Sequence, residues 1–536
     1  MKVYKKFYLV LLVFLLGVVL SSCTQPLEIS LEFDSNGGSS VAPQLTDGKS
    51  ITLPTEPTRD GYSFGGWFWD DKTFEIPLTT DAIPEAYVAN IMTVYAKWYL
   101  QDQEQPTLTL TTDPIEITMW HALGTVQKAL LQKYANGFMD LYPNITVNIP
   151  DSSYSLDALK SNVTSAIGGG TLPNLVQALP EHTAEYYYSD SVINLDYYIE
   201  NDNYGLNDSD VLSDFLPSFR DECSQFDEAG SYYALPFAKS TEMLVYNKTA
   251  YDEIGLGAPE VWQDFQSVDG LMRIYAEQFT NLNQMTVAAY ESAGNAALTF
   301  AKQYHGSFTS INYDTMLGNY LFNSSPNTIA AMNFLEDNKA YITLPDFWDE
   351  SYASTPFIQQ KTFAIVTSSL SVRYNVPPID QLTGLPIFQI GVAPVPYNLD
   401  VLESNAVIQE GTNISLMNTG TEQQQLASWL FLKYLTNTEN TTDWALNTGF
   451  LPVRTSAYDS ILYQELLNSP SVEQYYMSLV AQATYSQLDV MFFAPAFMHA
   501  SRINDPMTIA LERIMLGDGN VSAALQEAYD DLMIGW

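Results

Sequence analysis

Short apolar runs alternate with a helical pattern early in the largest part of the chain, and this alternation constrains the fold most. Residues 115–119 and 145–149 are apolar runs of strand length, and residues 126–141 between them have a helical period. Four side chains carry that period: Leu130, Tyr134, Phe138 and Leu141. A strand, a helix and a second strand form a βαβ unit, and such a unit places its strands in parallel.

The pattern continues with another helix and another strand. The helix is predicted from Asp157, with Ser155 as its N-cap and the three glycines at 168–170 as its end. Its apolar face is formed by Leu159, Val163 and Ile167. Residues 175–178 are predicted to be the next strand, so we expect an α/β region with a parallel sheet.

The N-terminus has the pattern of a secretion signal. Lysines precede an apolar run over residues 7–20, which is too short for a membrane span of about 20 residues. The run ends in Leu-Ser-Ser-Cys at 20–23, which resembles the lipobox of bacterial lipoproteins. The resemblance implies that residues 1–22 are a signal peptide and that residues 23–28 are a lipidated N-terminus. Lipid on Cys23 would hold the protein to the outer side of the cell membrane.

Charge and composition exclude several kinds of partner. The chain has 62 acidic and 22 basic residues, a formal charge of −40, and such a surface repels nucleic acids. Its two cysteines, Cys23 and Cys223, and its four scattered histidines have no spacing typical of a metal site. We therefore expect no nucleic-acid partner, no metal and no cofactor, and we interpret Cys223 as an inert buried thiol.

Residues 29–98 have the motifs of a small separate module. The motifs are F-D-S-N-G-G at 33–38, P-T-R-D-G-Y-S-F-G-G-W at 57–67 and Y-A-K-W at 95–98. Together they resemble the Listeria–Bacteroides repeat, which implies a small β-grasp-like module on a bacterial surface protein. Alternation and turn residues predict strands at residues 29–33, 49–53, 65–69 and 92–98. The polar, threonine-rich residues 99–114 are predicted to be a linker.

Residues 61–65 of this module, Gly-Tyr-Ser-Phe-Gly, match the G-x-S-x-G pattern of serine hydrolases. In those enzymes the serine lies between a buried strand and a helix and is paired with a histidine. Here the pentapeptide follows prolines and leads into a predicted strand, and no histidine precedes His121. We interpret Ser63 as part of the repeat and expect no enzyme. A hydrolase built on Ser63 and a surface adhesin, in which the repeat binds a partner, are the alternative functions.

Six stretches within residues 115–536 carry a second resemblance. Four of them are ITMWHALG at 117–124, YANGFMDLYPNITVNI at 134–149, GGGTLPNLVQALPE at 168–181 and YYALPFAKSTEMLVYNKTAYDEIGL at 232–256. The other two are APEVWQDF at 258–265 and TGFLPVR at 448–454. All six resemble the extracellular solute-binding proteins of family 1. The resemblance implies a two-lobed, periplasmic-binding-protein type II-like α/β fold with a hinge and a ligand cleft. The chain would cross between the lobes near 236–242, 360–372 and 408–412. It also implies a monomeric receptor that captures a small solute and delivers it to the permease subunits of an ABC importer.

The nearest subgroup, the glycerol-3-phosphate-binding proteins, implies a set of pocket residues. These fall on Tyr154, Glu181, Ser240, Ser369, Gly411 and Arg502. The tyrosine of the subgroup's T-G-Y-L-P motif is Phe450 here, so a stacking ring replaces a phenol that donates a hydrogen bond.

The residue types do not decide between an anionic ligand and a sugar. Arg502 and Lys239 favour an anion, whereas aromatic residues such as Trp262 favour the apolar face of a sugar. Glycerol 3-phosphate, a glycerophosphodiester and a sugar or oligosaccharide therefore remain as alternatives. The methionine-rich residues 488–507 are interpreted as packing at the edge of the cleft.

Overall fold

The computed structural model describes residues 29–47, 49, 51–71, 74, 76–80, 91–100, 108–151, 155–207, 210–278 and 280–534. The chain divides into two compact units, Met1–Pro106 and Thr107–Trp536. The predicted signal peptide, Cys23 and Tyr154 lie outside the described residues. Among the described residues, no helix has both the length and the apolar character that a membrane crossing requires.

The first unit is built on a four-stranded sheet. Its strands are β1 (Ile29–Asp34), β2 (Gln44–Thr46), β3 (Tyr62–Phe68) and β4 (Ile91–Leu100). They lie in the order β2-β1-β4-β3, with β1 parallel to β4 and the two outer pairs antiparallel. Leu31, Trp67 and Val94 belong to the buried core of this sheet. The mixed sheet with a parallel central pair agrees with the expected β-grasp-like module.

The first unit departs from one predicted strand and agrees with the interpretation of Ser63 as part of the repeat. The strand predicted at 49–53 is wrong, because the second strand is Gln44–Thr46 and residues 51–53 lie outside any strand. Ile51 is buried all the same, and its backbone N–H donates to the Thr80 carbonyl (3.3 Å), so an apolar loop residue enters the core. Ser63 lies exposed within β3 just after Gly61, whose φ is +78°. The pentapeptide therefore forms a turn and a strand rather than a strand-to-helix elbow.

The first part of the second unit alternates strands and helices. In chain order its elements are β5 (Ile115–Trp120), α1 (Thr125–Leu141), β6 (Ile145–Asn148), α2 (Leu156–Gly169), β7 (Leu175–Ala178), α3 (Pro180–Tyr188), α4 (Asp196–Ile199) and α5 (Pro217–Glu222). β5 pairs in parallel with both β6 and β7, which confirms the predicted βαβ arrangement.

The ends and faces of these helices follow from local sequence. The Ser155 hydroxyl accepts a hydrogen bond from the Ala158 N–H (3.2 Å), and Gly170 ends α2 with a φ of +80°, as predicted. The buried face of α1 was predicted less well, because Leu141 is 63% exposed and Leu131 is buried instead. Leu141 is the last helical residue, where the helix no longer covers the sheet.

The middle part of the second unit begins with a long strand. Its elements are β8 (Leu235–Asn247), α6 (Lys248–Glu253), α7 (Gln263–Ala276), β9 (Ala288–Tyr290), α8 (Ala293–Gln303), β10 (Thr309–Asn312), β11 (Leu317–Tyr320), α9 (Pro326–Asp337), β12 (Ile342–Thr343), α10 (Ser354–Ile358), β13 (Ala364–Ser368) and β14 (Ile390–Ala393).

The last part begins with a second long strand and is otherwise almost all helical. Its elements are β15 (Val407–Leu416), α11 (Glu422–Leu435), α12 (Thr438–Thr448), α13 (Thr455–Tyr458), α14 (Ile461–Asn468), α15 (Tyr475–Tyr485), β16 (Met491–Phe492), α16 (Asn504–Leu516) and α17 (Val521–Met533). The segment 108–114 of the predicted linker belongs to this unit, because the Thr111 N–H donates to Gln423 Oε1 (2.7 Å).

Two long strands join the two lobes of the second unit. The N-terminal half of β8 pairs with β15, and its C-terminal half pairs with β13 and β14. The C-terminal half of β15 pairs in turn with β7. The first lobe is therefore built around β5, β6 and β7, and the second around β9, β12, β13 and β14. The hinge lies where Thr241 is opposite Gln409 and Lys239 is opposite Gly411.

The hinge strands contain the predicted crossings at 236–242 and 408–412. The third predicted crossing, at 360–372, does not connect the two lobes. It holds β13, which pairs with β9 and with the C-terminal half of β8, and the chain then continues into β14. Residues 360–372 therefore stay in the second lobe. The chain crosses again after α12, where the Leu451 N–H donates to the Lys239 carbonyl (2.8 Å) and α15 packs against β14.

Candidate functional site

A cavity of about 420 Å³ lies at the hinge and is lined from both lobes. The first lobe contributes residues 179–181 and Glu222, and the second lobe contributes the start of α8 and residues 308–309. Residues 408–411 of β15 and several residues between 494 and 508 complete the lining. Three glutamates and no lysine or arginine are among the lining residues, so we call this space the acidic cavity. The position of 494–508 agrees with the interpretation of 488–507 as packing at the cleft edge.

Glu181 lies where a parallel strand ends and a helix begins. β7 ends at Ala178, and Pro180 starts α3 with its first turn in the acidic cavity. Ligands of open α/β sheets bind at this edge, because loops and helix N-termini face the same crevice there. Burial raises the pKa of Glu181 to about 7, and the nearby Glu222 carboxyl adds to this rise. A hydrogen bond from the backbone N–H of Glu181 itself acts in the opposite direction and lowers the pKa.

Glu222 connects the first lobe with both hinge strands. Its carboxylate forms a buried ion pair with Lys239 of β8. It also accepts hydrogen bonds from Gln409 Nε2 (2.6 Å) and Asn413 Nδ2 (2.9 Å), both on β15. Lys239 is fully buried in this network, so its ammonium is already paired and the expectation that it favours an anionic ligand does not hold.

A second carboxyl cluster lies on the other lobe's side of the hinge. Asn295 Nδ2, at the start of α8, donates to Glu242 Oε1 of β8 and to Glu410 Oε1 of β15, each at 3.0 Å. The Tyr290 hydroxyl also donates to Glu242. Burial and the neighbouring Glu410 carboxyl raise the pKa of Glu242 to about 8, and burial raises the pKa of Glu410.

Gly411 lies in the wall of the acidic cavity, on β15 opposite Lys239 of β8. Its φ is +116°, and a Cβ placed on it would lie 2.1 Å from the Ala238 carbonyl oxygen. No larger residue fits this backbone without moving β8 away from β15.

A second cavity, of about 460 Å³, contains two other predicted site residues. Ser369 follows β13 and Phe450 follows α12, and both line this space together with Tyr463 and Tyr476. We call it the aromatic cavity. The Phe450 ring stacks on Trp444, with centroids 5.9 Å apart and planes inclined by 18°. Its one lining arginine is Arg373, which is exposed.

Of the remaining predicted residues, the three that the structure describes line neither of these two cavities. Ser240 is buried on β8 opposite Glu410. Trp262 is 1% exposed and donates from Nε1 to Gln303 Oε1 (2.7 Å), which is a packing position. Arg502 is exposed, between Ser501 and Ile503, which both line the acidic cavity.

Sequence reasoning missed most polar residues of the acidic cavity, and four of these are joined in pairs by hydrogen bonds between their side chains. They are Glu222, Asn295, Gln409 and Glu410. Their positions in the chain show no shared spacing, and only the pairing of β8 with β15 brings them together. Among the described residues, no group of three histidine, cysteine, aspartate or glutamate side chains is arranged to hold a metal ion.

Comparisons with known proteins agree on the kind of molecule. Over 368 residues the chain is 26% identical to the sn-glycerol-3-phosphate-binding periplasmic protein UgpB of Salmonella typhimurium, which covers 66% of this chain and 76% of that protein. The Escherichia coli K12 protein of the same name is 27% identical over 263 residues, or 46% of this chain and 54% of its own length. These relatives are binding proteins, which confirms the expectation that the chain is not an enzyme.

Solved structures share the two-lobed fold at low sequence identity. The sugar-binding protein MalE from Xanthomonas citri superimposes with a TM-score of 0.61 at 19% identity, covering 78% of this chain and 96% of that one. UgpB from Mycobacterium tuberculosis in complex with glycerophosphocholine gives a TM-score of 0.57 at 20% identity, covering 78% and 98%. The predicted two-lobed α/β fold is therefore confirmed.

Two family profiles match the chain in the places that the motifs indicated. The Listeria–Bacteroides repeat domain matches residues 30–97, and the bacterial extracellular solute-binding proteins match residues 133–470, more than half of the chain. The chain belongs to the bacterial extracellular solute-binding protein family and carries a Listeria–Bacteroides repeat domain before its solute-binding region.

Proposed function

We propose that the chain is the receptor of an ABC importer, which captures a small polar solute between its lobes and delivers it to the permease. Glycerol 3-phosphate, a glycerophosphodiester and a sugar or oligosaccharide are the candidate solutes. The observation that carries the proposal is the acidic cavity, which both lobes line and the hinge strand β15 borders. A ligand that contacts both lobes favours the closed state, because it binds that state more tightly than the open one.

The proposed contacts follow from the position of each residue. Glu181 accepts hydrogen bonds from solute hydroxyls, and Gly411 contributes the backbone of β15 to the cavity wall. Ser369 and Phe450 form a second contact region in the aromatic cavity. The aromatic rings of this cavity can stack on the apolar face of a sugar.

The proposal also includes the location of the receptor. Leu-Ser-Ser-Cys at 20–23 supports cleavage before Cys23 and attachment of lipid to that residue. With Cys23→Ser, the protein should move from the membrane fraction to the soluble fraction of cells that express it, and mass spectrometry should detect no acyl chains. Retention on the membrane without Cys23 would contradict the lipid anchor.

Thermal unfolding of the chain with a panel of solutes tests the receptor function. A solute at 100 times its Kd should add about 2.7 kcal/mol to the free energy of unfolding. Glu181→Gln should abolish this stabilisation, whereas Glu422→Gln should leave it unchanged. Glu422 is a suitable control because it is an exposed glutamate in the first turn of a different helix, α11. Equal stabilisation in both variants would remove Glu181 from the site.

A further inference from the structure

The acidic cavity has a charge pattern that narrows the class of solute, provided that the cavity is the capture site proposed above. Glu181, Glu222 and Glu410 line one space of about 420 Å³, whose size is within the range of about 300–1,000 Å³ of small-molecule sites. Among the residues that the structure describes, no lysine or arginine lines it. The nearby Lys239 is buried against Glu222 and is not among the lining residues.

Two of the lining amides, Asn295 and Gln409, direct their hydrogen-bond donors at protein carboxyl groups. Asn295 donates its amide N–H groups to Glu242 and Glu410. Gln409 donates from Nε2 to Glu222, and this contact determines the orientation of its amide, since the flipped form would place an oxygen against the carboxylate. Both amides therefore direct these donors at protein carboxyl groups and not at the open space.

An acceptor remains without a partner. Gln409 is 3% exposed and lines the acidic cavity, and its Oε1 atom has no hydrogen-bond partner. A buried carbonyl oxygen without a donor is unfavourable, and a ligand that supplies an N–H or O–H removes that cost. The lining thus contains three carboxyl groups and one carbonyl oxygen without a partner, and a donor on the solute would satisfy that oxygen.

We propose that the captured solute is a hydroxyl-rich compound that carries a protonated primary amine, such as an amino sugar or an amino polyol. Its ammonium group binds among Glu181, Glu410 and Gln409 Oε1, and Phe308 and Phe497 cover its carbon frame. A phosphate monoester would find no lysine or arginine among the described lining residues to balance its charge, which lowers its affinity. A quaternary ammonium has the charge but no N–H to donate to Gln409.

Two matched pairs of compounds test the charge and the donor separately. Isothermal titration of the chain at pH 7 would compare glucosamine oligomers with their N-acetylated forms, and glycerophosphoethanolamine with glycerophosphocholine. Hydrogen bonds to charged groups are strong enough that the primary-amine member of each responding pair should bind at least tenfold more tightly. Glu410→Gln, which keeps an acceptor for Asn295, should reduce that ratio toward one.

A further measurement is the number of protons that the protein releases when the amine binds. Since burial raises the pKa of Glu181 to about 7 and also raises that of Glu410, an incoming cation should displace protons from them. Titrations in two buffers of different ionisation enthalpy should show net proton release for the amine.

The outcomes separate this inference from the receptor function. Equal or tighter binding of glycerol 3-phosphate, of maltodextrin or of the acetylated or quaternary partner would overturn the inference and leave the receptor function standing. If no compound of the panel binds, both proposals lose their support.

Discussion

Replacing Lys239 with methionine leaves the buried Glu222 carboxylate without its cation. Lys239 is fully buried and Glu222 is 3% exposed, so water cannot take the place of the ammonium. Removing one partner of a buried ion pair costs about 3–5 kcal/mol. Gln409 and Asn413 still donate to the carboxylate, at 2.6 and 2.9 Å, so we expect the low end of that range, about 3 kcal/mol.

The double variant Lys239→Met with Glu222→Gln separates the lost cation from the lost packing. An amide oxygen at position 222 still accepts from both hinge amides, and no charge remains buried. We expect the free energy of unfolding of this variant to lie within about 1 kcal/mol of the wild-type value, because replacing both members of a buried pair is often close to neutral.

Urea unfolding followed by tryptophan fluorescence measures these free energies, with the two units of the chain fitted as separate transitions. Lys248→Met is the control, since Lys248 forms an exposed pair with Asp252 (2.6 Å) that should contribute less than about 1 kcal/mol. A cost below about 1 kcal/mol for Lys239→Met, or a double variant as unstable as the single one, would refute this reasoning about the hinge.

Three further predictions concern the hinge and the acidic cavity. Gly411→Ala should lower the melting temperature in calorimetry, because the new Cβ would lie 2.1 Å from the Ala238 oxygen at a backbone φ of +116°, whereas Gly257→Ala, with no atom within 4 Å, should be nearly neutral. The pKa of Glu242 is raised from 4.5 to about 8, so its contribution to stability is complete below pH 4.5 and is lost as the pH rises to about 8. In urea unfolding across this pH range, Glu242→Gln should make the free energy of unfolding decline less as the pH rises. The same decline in the variant and the wild type would contradict this prediction. Arg502→Ala should change the affinity for a primary-amine solute less than twofold by titration calorimetry, since Arg502 is exposed, whereas a tenfold loss would place an anion beside it.

Local features of the sequence predicted local features of the structure well. The apolar period of residues 126–141 predicts α1, and Ser155 and Gly170 mark the ends of α2, because capping and periodicity depend on neighbours within one or two turns. The strand expected at 49–53 failed for a related reason: Ile51 is apolar because it fills the core, and burial does not require a strand.

Residues of the candidate site could be predicted from the sequence only where they belong to a family motif. Glu181 and Gly411 were identified by resemblance, and both line the acidic cavity. Trp262 resembles a sugar-stacking residue in sequence, but its ring lies in the core, since residue type does not reveal which side of a motif faces a cavity.

The sequence by itself therefore determined the α/β class, the repeat module, the family and the order of strands and helices over residues 115–178, because each depends on short-range pattern. Only the tertiary structure decided the chemistry of the acidic cavity. Glu222, Asn295 and Gln409 come together through the pairing of β8 with β15, and Lys239 is paired with Glu222 rather than open to a ligand. Charges far apart in the chain change each other's ionisation only after folding places them within a few ångströms, in a space that excludes water.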